Sequence, residues 1–389
     1  MAGAGALAGR PVTIIGAGIG GLTAALALAR RGASVTVLER AGALREVGAG
    51  IQVSPNAARV LDALGAGADF TTVSAPSHGV TLRDAAGARV LHMDFAKARP
   101  AAAFRTVHRA RLIEVLDRAV RAAGAAIRLD SPVEVLPDAP LLIGADGLHS
   151  RVRAALNGAE TPFFTGQAAW RALIALEPGA ANGAQVFMGP GRHLVSYPLA
   201  HGLRNIVAVE ERTAWTPEDW SRPDDPDTLR AAFARFGGPV PGWLAQVTEC
   251  SIWGLHRHQV AARWHDDRRA ILGDAAHPTL PFLAQGACMA IEDAWVLAAC
   301  LDADADQPRA LTRYQALRRP RCVRIVQAAN DNARNYHLSG PRRMAGHTAL
   351  RLADRLAPRA VFERFAWVYD YDPTAIDPAP APPTVARSA

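Results

Sequence analysis

Apolar residues near the start of the chain follow two different periods in quick succession. Residues 12–15 form a short apolar run, residues 22–31 carry a helical pattern, and residues 35–38 form a second apolar run. The glycine-rich sequence GAGIGG separates the first run from the helical pattern, at the place where the chain must turn. The pattern therefore predicts a β-α-β unit, in which a helix joins two parallel strands.

Further along the chain, polar and apolar positions alternate over long stretches. Alternation at residues 80–95, interrupted by Gly87, predicts a hairpin. Between about residues 161 and 265, alternating segments such as 184–188 and 193–197 are separated by Gly and Pro. Short strands with turn residues between them predict an antiparallel sheet.

Helical periodicity accounts for most of the remaining chain. It covers residues 109–123, dominates from 286 to about 335, and returns from about 342 to 365. The end of the chain, from residue 372 onward, is rich in Pro and Ala and predicts a disordered tail.

The composition is that of a globular protein with room for two domains, because 50% of its 389 residues are hydrophobic. The formal net charge of +7 raises the question of nucleic-acid binding. The arginines, however, are scattered and form no basic run with interleaved aromatic residues. We therefore expect no nucleic-acid partner, and we expect the positive charge to favour small anionic molecules.

The cysteine spacing indicates whether the chain binds a metal, and the apolar runs indicate its cellular location. The four cysteines form no C-x-x-C pair and have no close His partner, so we expect no bound metal. The N-terminus lacks a signal-peptide pattern, and no apolar stretch of about 18 residues calls for a membrane span. The sequence therefore predicts a cytoplasmic protein without stable membrane association.

The first predicted turn carries a dinucleotide-binding pattern. Gly16, Gly18 and Gly21 stand in G-x-G-x-x-G register, and Glu39 ends the next predicted strand 18 residues after Gly21. Gly16 permits a tight turn, Gly18 lets the backbone approach a pyrophosphate, and Gly21 lets helix and strand pack closely. Glu39 would accept hydrogen bonds from ribose hydroxyls. Glycine-rich turns are common, and this one suits a nicotinamide cofactor as well as FAD.

Two later motifs distinguish these cofactors, LLIGADGLHSRVR at residues 141–153 and GDAAHP at 273–278. Together with the glycine motif, they stand in an order that resembles the single-component FAD-dependent aromatic hydroxylases of the p-hydroxybenzoate hydroxylase superfamily. The segment HPTLPFLAQGACMAIEDA is most similar to salicylate hydroxylase, 3-hydroxybenzoate 6-hydroxylase and 6-hydroxynicotinate 3-monooxygenase. The resemblance covers roughly residues 11–330.

The resemblance implies an α/β fold with a Rossmann-like, three-layer FAD-binding domain and an inserted antiparallel substrate-binding sheet. The predicted division of the chain is an FAD-binding domain from 1–77, 98–160 and 266–335, a substrate-binding sheet from 78–97 and 161–265, a C-terminal helical segment at 336–371, and a disordered tail at 372–389.

The resemblance also implies which residues contact FAD. Asp146 and Gly147 would lie near the pyrophosphate and Asp274 near the ribityl chain. By themselves, Asp146 and Gly147 are typical of a strand-end turn, and Arg109 is typical of a solvated residue before a helix. The full predicted FAD-binding set is Gly16, Gly18, Gly21, Glu39, Arg40, Arg45, Ile51, Arg109, Asp146, Gly147, Asp274, Gly286 and Ala287.

The implied reaction uses NADH or NADPH as a transient co-substrate. Hydride transfer to FAD, formation of a C4a-hydroperoxyflavin with O₂ and attack on a small aromatic ring would follow. No second G-x-G-x-x-G occurs, so no separate nicotinamide domain is expected. Pro281, whose carbonyl would face the substrate, and Gln285, before the next helix, are the predicted catalytic positions near the flavin.

The base that would activate the substrate does not carry over from the relatives. They place a histidine after the strand that matches NIVAVEER, where this chain has Glu210 and Glu211. We predict Glu210 as the base, and a surface-strand carboxylate is the alternative. Phe187, Tyr197 and Arg171 are the candidate pocket residues, although such aromatic residues are usually core and such an arginine can form a structural salt bridge.

Other residues and other reactions stay open at this point. His277 is either functional or a histidine packed within its loop, and Glu292 and Asp293 are interpreted as helix-surface or capping groups. A flavin reductase, dehydrogenase, halogenase or epoxidase would use the same fold, and so would a catalytically inactive flavin-binding module. The sequence is compatible with a monomer and with a homodimer.

Overall fold

The computed structural model describes residues 5–44, 50–214, 216–217 and 222–379. Arg45, one of the predicted FAD contacts, lies outside the described residues. The strands are β1 Pro11–Ile15, β2 Ser34–Leu38, β3 Gly50–Val53, β4 Ser74–Pro76, β5 Gly79–Asp84, β6 Arg89–Asp94, β7 Arg105–His108, β8 Ala126–Arg128, β9 Leu142–Gly144, β10 Phe163–Ala175, β11 Ala184–Gly189, β12 Arg192–Leu199, β13 Leu203–Glu211, β14 Pro223–Asp224, β15 Cys250–Arg257 and β16 Arg269–Ile271. The helices are α1 Ile19–Ala29, α2 Pro55–Ala63, α3 Gly67–Val73, α4 Phe95–Ala98, α5 Arg109–Ala122, α6 Arg151–Asn157, α7 Pro226–Ala232, α8 Val240–Ala245, α9 Gly286–Ala303, α10 Gln307–Tyr336, α11 Gly340–Leu356 and α12 Pro358–Tyr369.

A five-stranded parallel sheet has the order β16-β9-β1-β2-β8. The helix α1 connects β1 to β2, which confirms the predicted β-α-β unit. This helix is buried along nearly its whole length because α5 and α9 both pack against it. Since all five strands run in one direction, their carboxyl ends share one edge of the sheet.

A second sheet has eight strands in the order β14-β15-β10-β13-β12-β11-β5-β6. The hairpin of β5 and β6 joins it through a parallel pairing of β5 with β11, whereas the other pairs are antiparallel. The predicted antiparallel sheet and the predicted hairpin are both present. The parallel pairing was not predicted, because alternation within a strand does not specify its neighbour.

The small sheet β3-β7-β4 lies against the eight-stranded sheet. The backbone N–H of Gly50 in β3 donates to Asn205 Oδ1 at 2.8 Å, and Thr106 Oγ1 in β7 donates to the Pro198 carbonyl at 2.6 Å. These hydrogen bonds are buried, and they hold the start of β3 against β12 and β13.

The pleat of the eight-stranded sheet separates two faces. One face carries a cluster that includes Trp170, Phe187 and Ile206 and is covered by α7 and α8. The opposite face carries Ala169 and Val209, which pack with the segment before α9 and with α10. We call the second one the inner face, because it is turned towards the parallel-sheet domain.

The C-terminal segment is helical, as predicted, but part of the tail differs from the prediction. Residues 372–379 were expected to be disordered, whereas Pro373–Ala375 forms a short 3₁₀ turn that packs against α2 and α9. Pro373 is buried there, and Arg313 Nη2 donates to the Asp377 carbonyl at 3.2 Å. Composition favours disorder, but these contacts with the domain provide the burial that orders the segment.

Among the described residues, no helix combines the length and the apolar character that a membrane crossing requires.

Candidate active site

The three sequence motifs follow β1, β9 and β16, which are neighbours in the parallel sheet. These strands end at the same level. The Ala145 N–H donates to the Ile15 carbonyl at 2.9 Å, and the Leu272 N–H donates to the Gly144 carbonyl at 3.1 Å. The motifs therefore lie side by side along one edge, where open α/β sheets bind their ligands.

The glycine loop after β1 has two crowded positions and one open position. Gly16 has φ +99°, and a Cβ on it would lie 2.4 Å from the Ala145 carbonyl oxygen. A Cβ on Gly21 would lie 1.9 Å from the Gly16 carbonyl oxygen, whereas a Cβ on Gly18 would meet no heavy atom within 4 Å. Gly16 and Gly21 are therefore required by the protein itself, and Gly18 leaves space beside the start of α1.

Glu39 connects the glycine loop to the end of β2. Its carboxylate oxygens accept hydrogen bonds from the N–H groups of Ala17, at 2.7 Å, and Ala41, at 2.9 Å. A carboxylate oxygen can accept more than one hydrogen bond, so the same group can hold the loop and accept ribose hydroxyls. The neighbouring Arg40 is exposed.

The two carboxylate oxygens of Asp146 differ in their hydrogen-bond partners. Oδ2 accepts a hydrogen bond from the Arg151 N–H at 2.8 Å, which orders the start of α6. Oδ1 is buried and has no hydrogen-bond partner among the described residues. Burial raises the pKa of Asp146, and its hydrogen bonds counteract this. A buried oxygen without a partner at a ligand-binding edge fits a ligand that donates a hydrogen bond.

Asp274 and Arg109 are brought together from distant parts of the chain. Asp274 is exposed although its neighbours Gly273 and Ala275 are buried, so its carboxylate projects from the sheet edge. Arg109 begins α5, and burial lowers the pKa of its guanidinium, while the negative charge of Asp274 opposes that effect. The arginine that sequence alone would place in solvent therefore lies inside, beside the third motif.

The proline-containing loop turns sharply before α9 begins. Pro281–Leu283 forms one 3₁₀ turn, and Ala284 then has φ +52°, an unusual conformation for a residue with a Cβ. The helix starts at Gly286 without an acidic residue in its first turn. Its free N–H groups and positive dipole end are therefore available to an anionic group at the same edge.

Gln285 immediately precedes α9, and both ends of its side-chain amide are bound within the protein. Asn56 Nδ2 donates to its Oε1 at 3.0 Å, and its Nε2 donates to Ser54 Oγ at 2.9 Å. The side chain therefore joins α9 to the start of α2. These contacts support a role in holding the α9 start in place.

The inner face of the eight-stranded sheet places Arg171 and Tyr197 opposite this edge. The Arg171 guanidinium lies 4.1 Å from the centre of the Trp253 ring. Burial, assisted by the nearby positive charge of Arg109, lowers its pKa to about 9. Tyr197 Oη donates to the Gly50 carbonyl at 2.6 Å. Two partly buried arginines, one at the start of α5 and one in β10, are thus close enough to affect each other.

A model of the FAD binding domain family matches residues 10–140 and 134–329. The chain belongs to this family. The predicted family and the predicted fold are both confirmed.

Named relatives show which enzymes of this family are similar to the chain. The 3-amino-4-hydroxybenzoate 2-monooxygenase PtmB3 of Streptomyces platensis is 35% identical over 390 residues, which cover 93% of this chain and 96% of that protein. The 3-hydroxybenzoate 6-hydroxylase of Klebsiella oxytoca is 33% identical over 357 residues, with 85% and 89% covered. Klebsiella pneumoniae HpxO, solved with FAD and uric acid, has a TM-score of 0.77 and 28% identity, covering 89% of this chain and 94% of that one. The chain is thus an enzyme of the FAD-dependent aromatic hydroxylase family.

The residues along the sheet edge fit FAD. The space beside Gly18 suits a pyrophosphate, and the exposed Asp274 carboxylate can accept from sugar-chain hydroxyls. The buried Asp146 Oδ1 lacks the donor that a bound cofactor would supply. The first turn of α9 offers N–H groups to an anionic flavin ring.

Two residues that the sequence predicted for the substrate site, Phe187 and Glu210, lie away from the inner face. Phe187 is fully buried in the cluster beneath α7 and α8, where its ring meets Trp243 at a centroid distance of 5.7 Å. Glu210 binds Arg192 at 2.5 Å and Arg212 at 3.0 Å. Alternation along each strand places these two side chains on the outer side of the sheet, so the structure supports neither a pocket role for Phe187 nor a base role for Glu210.

The interpretation of Glu292 and Asp293 as helix-surface groups is wrong. Both side chains are completely buried in α9. Burial alone would raise their pKa values, but the neighbouring cations together outweigh it, so the pKa of Glu292 is lowered and that of Asp293 falls to about 2. The cations are Arg318 and Arg321 at Glu292, and His277 and Arg318 at Asp293. The acidic pair therefore anchors α9 to α10 and to the third motif.

His277 is fully buried, and its Nε2 lies 2.5 Å from Asp293 Oδ2. With Cys322, these residues form a group of metal-ligand types within the described chain. The Arg318 guanidinium binds the same carboxylate at 2.7 Å, and its positive charge disfavours a cation there. His277 therefore acts as a packing residue that fixes its loop.

Sequence reasoning missed a pair of buried histidines next to the inner face, His193 in β12 and His337 after α10. They lie far apart in the sequence, and neither belongs to a motif. The detectable signal was a histidine near the start of a predicted strand, RHLVSYPL, which is ambiguous without knowing what packs against it.

Proposed function

We propose that this enzyme hydroxylates a small phenolic or hydroxybenzoate-like substrate with NADH or NADPH and O₂. The observation that supports this most directly is the partly buried Arg171, stacked on Trp253 on the inner face, opposite the FAD-binding edge. A guanidinium in such surroundings favours a carboxylate attached to a flat ring. The two monooxygenases named above are named for hydroxybenzoates, which have this chemistry, whereas HpxO was solved with uric acid.

Gly18, Asp146 and Asp274 would hold FAD, which would supply hydride acceptance from the nicotinamide and transfer of one oxygen atom of O₂ to the ring. The protein then has three tasks, namely to bind, to orient and to exclude water. Arg171 would hold the substrate carboxylate, and the Pro281 carbonyl would face the ring from the loop before α9. Tyr197, on the same face, would border the pocket where β3 meets the sheet.

Apolar groups on this face favour a dry pocket. Trp253, Leu280 and Phe282 are buried together with Val209 between the sheet and the α9 loop. Exclusion of water strengthens the electrostatic interaction between Arg171 and a carboxylate, and it limits wasteful loss of reducing equivalents. The free N–H groups at the start of α9 would stabilise negative charge on the reduced flavin ring.

The first experiment is to purify the protein, measure its flavin absorbance, and follow NADH and NADPH oxidation with a panel of hydroxybenzoates. The panel should include 3-hydroxybenzoate, 3-amino-4-hydroxybenzoate and salicylate, with benzoate as the control without a hydroxyl group. We expect a yellow protein, substrate-stimulated oxidation, and one atom of ¹⁸O from ¹⁸O₂ in the product.

Other outcomes point to the rival functions. Nicotinamide oxidation without labelled oxygen in the product indicates a reductase or dehydrogenase, and halide-dependent products indicate a halogenase. Bound FAD with no response to any panel compound favours the catalytically inactive module or a different substrate class such as an epoxidase substrate. The choice of NADH or NADPH, the cytoplasmic location and the monomeric or dimeric state stay predictions.

A further inference from the structure

Two buried histidines connect the inner face of the eight-stranded sheet to the protein surface. His193 is fully buried, and its Nδ1 lies 2.7 Å from Nε2 of His337. Nδ1 of His337 lies 2.8 Å from Oε1 of Glu211, whose side chain is 55% exposed. The three side chains form an unbroken hydrogen-bonded chain from the interior to solvent.

The inner end of this chain is incomplete. Nε2 of His193 is buried and has no hydrogen-bond partner among the described residues. The ring packs edge-on against Phe282 at a centroid distance of 4.8 Å, directly after Pro281 in the loop that would face the substrate. An unpaired buried nitrogen is unfavourable, so a donor from a bound molecule would relieve a real penalty.

The hydrogen bonds define where the protons lie. A Glu211 carboxylate only accepts, so His337 donates from Nδ1 and accepts at Nε2. His193 then donates from Nδ1, which leaves a lone pair on its unpaired Nε2. The buried nitrogen next to the loop is therefore a hydrogen-bond acceptor.

The surroundings keep His193 neutral. Burial lowers its pKa well below the ordinary histidine value, and His337 lowers it further. Burial also lowers the pKa of His337, although Glu211 acts to raise it. Tyr336, whose ring centre lies 5.2 Å from that of His193, is the other titratable side chain in contact with it among the described residues. A neutral imidazole can accept a proton, and because the same burial disfavours an imidazolium, the Nδ1 proton must leave as another arrives at Nε2.

On the basis of the proposed function, we propose that His193 removes the proton of the substrate hydroxyl and that His337 and Glu211 pass it to solvent. The substrate O–H bond breaks, and an N–H bond forms at His193 Nε2. The Nδ1 proton of His193 moves to Nε2 of His337, whose Nδ1 proton moves to Glu211 and then to water. The ring becomes a phenolate, and no electrons leave it in this step.

With His193 as the base, no base is needed after β13, the strand that contains NIVAVEER. His193 in β12 pairs with Val209 in β13, and Val209 directly precedes Glu210. The base thus belongs to the adjacent strand, on the inner face, whereas Glu210 lies on the outer one. In this scheme His193 contacts the substrate as a catalytic residue, and His337 and Glu211 act through it.

The decisive comparison is His193→Asn against His92→Asn. His92 is a matched control, since it lies in β6 of the same sheet and is hydrogen-bonded to Thr81. We expect His193→Asn to lower kcat/KM for the best panel substrate by about 10²-fold at pH 7, with normal FAD content. The deficit should shrink as the pH rises from 7 to 9, because more substrate then arrives as phenolate. A purely structural defect would stay constant across this range.

A second readout needs no turnover. The oxidised, FAD-loaded enzyme is mixed with the same substrate and with phenol red in weak buffer, without nicotinamide. We expect proton release on binding in the wild type and in His92→Asn, and little release in His193→Asn. Should His193→Asn fail to retain FAD, Glu211→Gln tests the exposed end of the chain, and we expect it to slow release at least tenfold.

The possible results separate this proposal from the proposed function. If no panel compound is turned over by the wild type, both are overturned. If turnover is normal and neither His193→Asn nor Glu211→Gln changes proton release or the pH profile, only the relay is overturned. A loss of release confined to Glu210→Gln would also overturn the relay, because it would identify the neighbouring carboxylate as the base.

Discussion

Gly18 and Gly21 belong to the same motif, but they should respond to alanine in opposite ways. Gly18 has φ −71° and ψ −178°, a backbone conformation open to alanine, and the added Cβ would meet nothing within 4 Å. At Gly21 the added Cβ would lie 1.9 Å from the Gly16 carbonyl oxygen. Gly18→Ala therefore tests cofactor binding alone, and Gly21→Ala tests the packing of α1 on β1.

The two magnitudes follow from these contacts. A Cβ rarely comes closer than 3.0 Å to another heavy atom, so Gly21→Ala must move α1 and the loop apart by about 1 Å. Overpacking of this kind costs about 3 kcal/mol, which lowers the Tm of a chain this long by about 4 °C. At Gly18 the methyl group would displace a phosphate and weaken one charge-assisted hydrogen bond, which costs about 1.5–3 kcal/mol or about 10- to 150-fold in the Kd for FAD.

The assay is thermal unfolding of the FAD-free protein, together with titration of FAD by flavin fluorescence. We expect Gly18→Ala to keep the wild-type Tm without FAD and to bind FAD more weakly, so that added FAD raises its Tm less. We expect Gly21→Ala to have a lower Tm already without FAD. Wild-type FAD affinity in Gly18→Ala would refute the close approach of this loop to the pyrophosphate, and an unchanged Tm in Gly21→Ala would refute the packing.

Three further predictions concern the substrate pocket and the buried ion pairs. Arg171→Met should raise the KM for a hydroxybenzoate by about 10-fold or more, because a charged hydrogen bond is lost. The KM for a phenol without a carboxylate should change little, and steady-state kinetics with both compounds checks this. Arg318→Met leaves buried Asp293 with only His277 and buried Glu292 with only Arg321 as a cationic partner, and it should cost about 3–5 kcal/mol in unfolding free energy, measured by urea denaturation. The pKa of Asp293 is about 2 in the folded protein, so its contribution to stability is complete above about pH 4 and is lost as the pH falls towards 2. The difference in Tm between wild type and Asp293→Asn should accordingly shrink as the pH is lowered, and a constant difference would contradict the ionised state.

Much of the cofactor site could be predicted because its determinants are local. The turn at Gly16, the helix that follows it and the strand ends before Asp146 and Asp274 each depend on a few consecutive residues. Parallel strands bring their carboxyl ends to one edge, so three local motifs in one domain predict one site. The structure then showed what each part contacts, such as the buried Asp146 oxygen without a partner.

The residues of the substrate site could not be predicted in the same way, because no single segment of the sequence shows which other segments pack against it. Strand alternation divides residues into two faces, but it does not say which face another layer covers. Phe187 and Glu210 were therefore assigned to the wrong side, and Glu292 and Asp293 were placed on a surface that α10 covers. In each case the partner comes from a distant part of the chain.

The sequence by itself determined the fold class and the cofactor, and it predicted the edge where that cofactor binds, because glycine turns and strand periods act over short distances. Only the tertiary structure decided which side chains lie on the inner face and which histidines pack beside it. His193, His337 and Glu211 come from three separate elements, and they form a chain only because α10 ends against β12 and β13. Packing between layers, which sets burial and hydrogen-bond partners, is the physical reason for the difference.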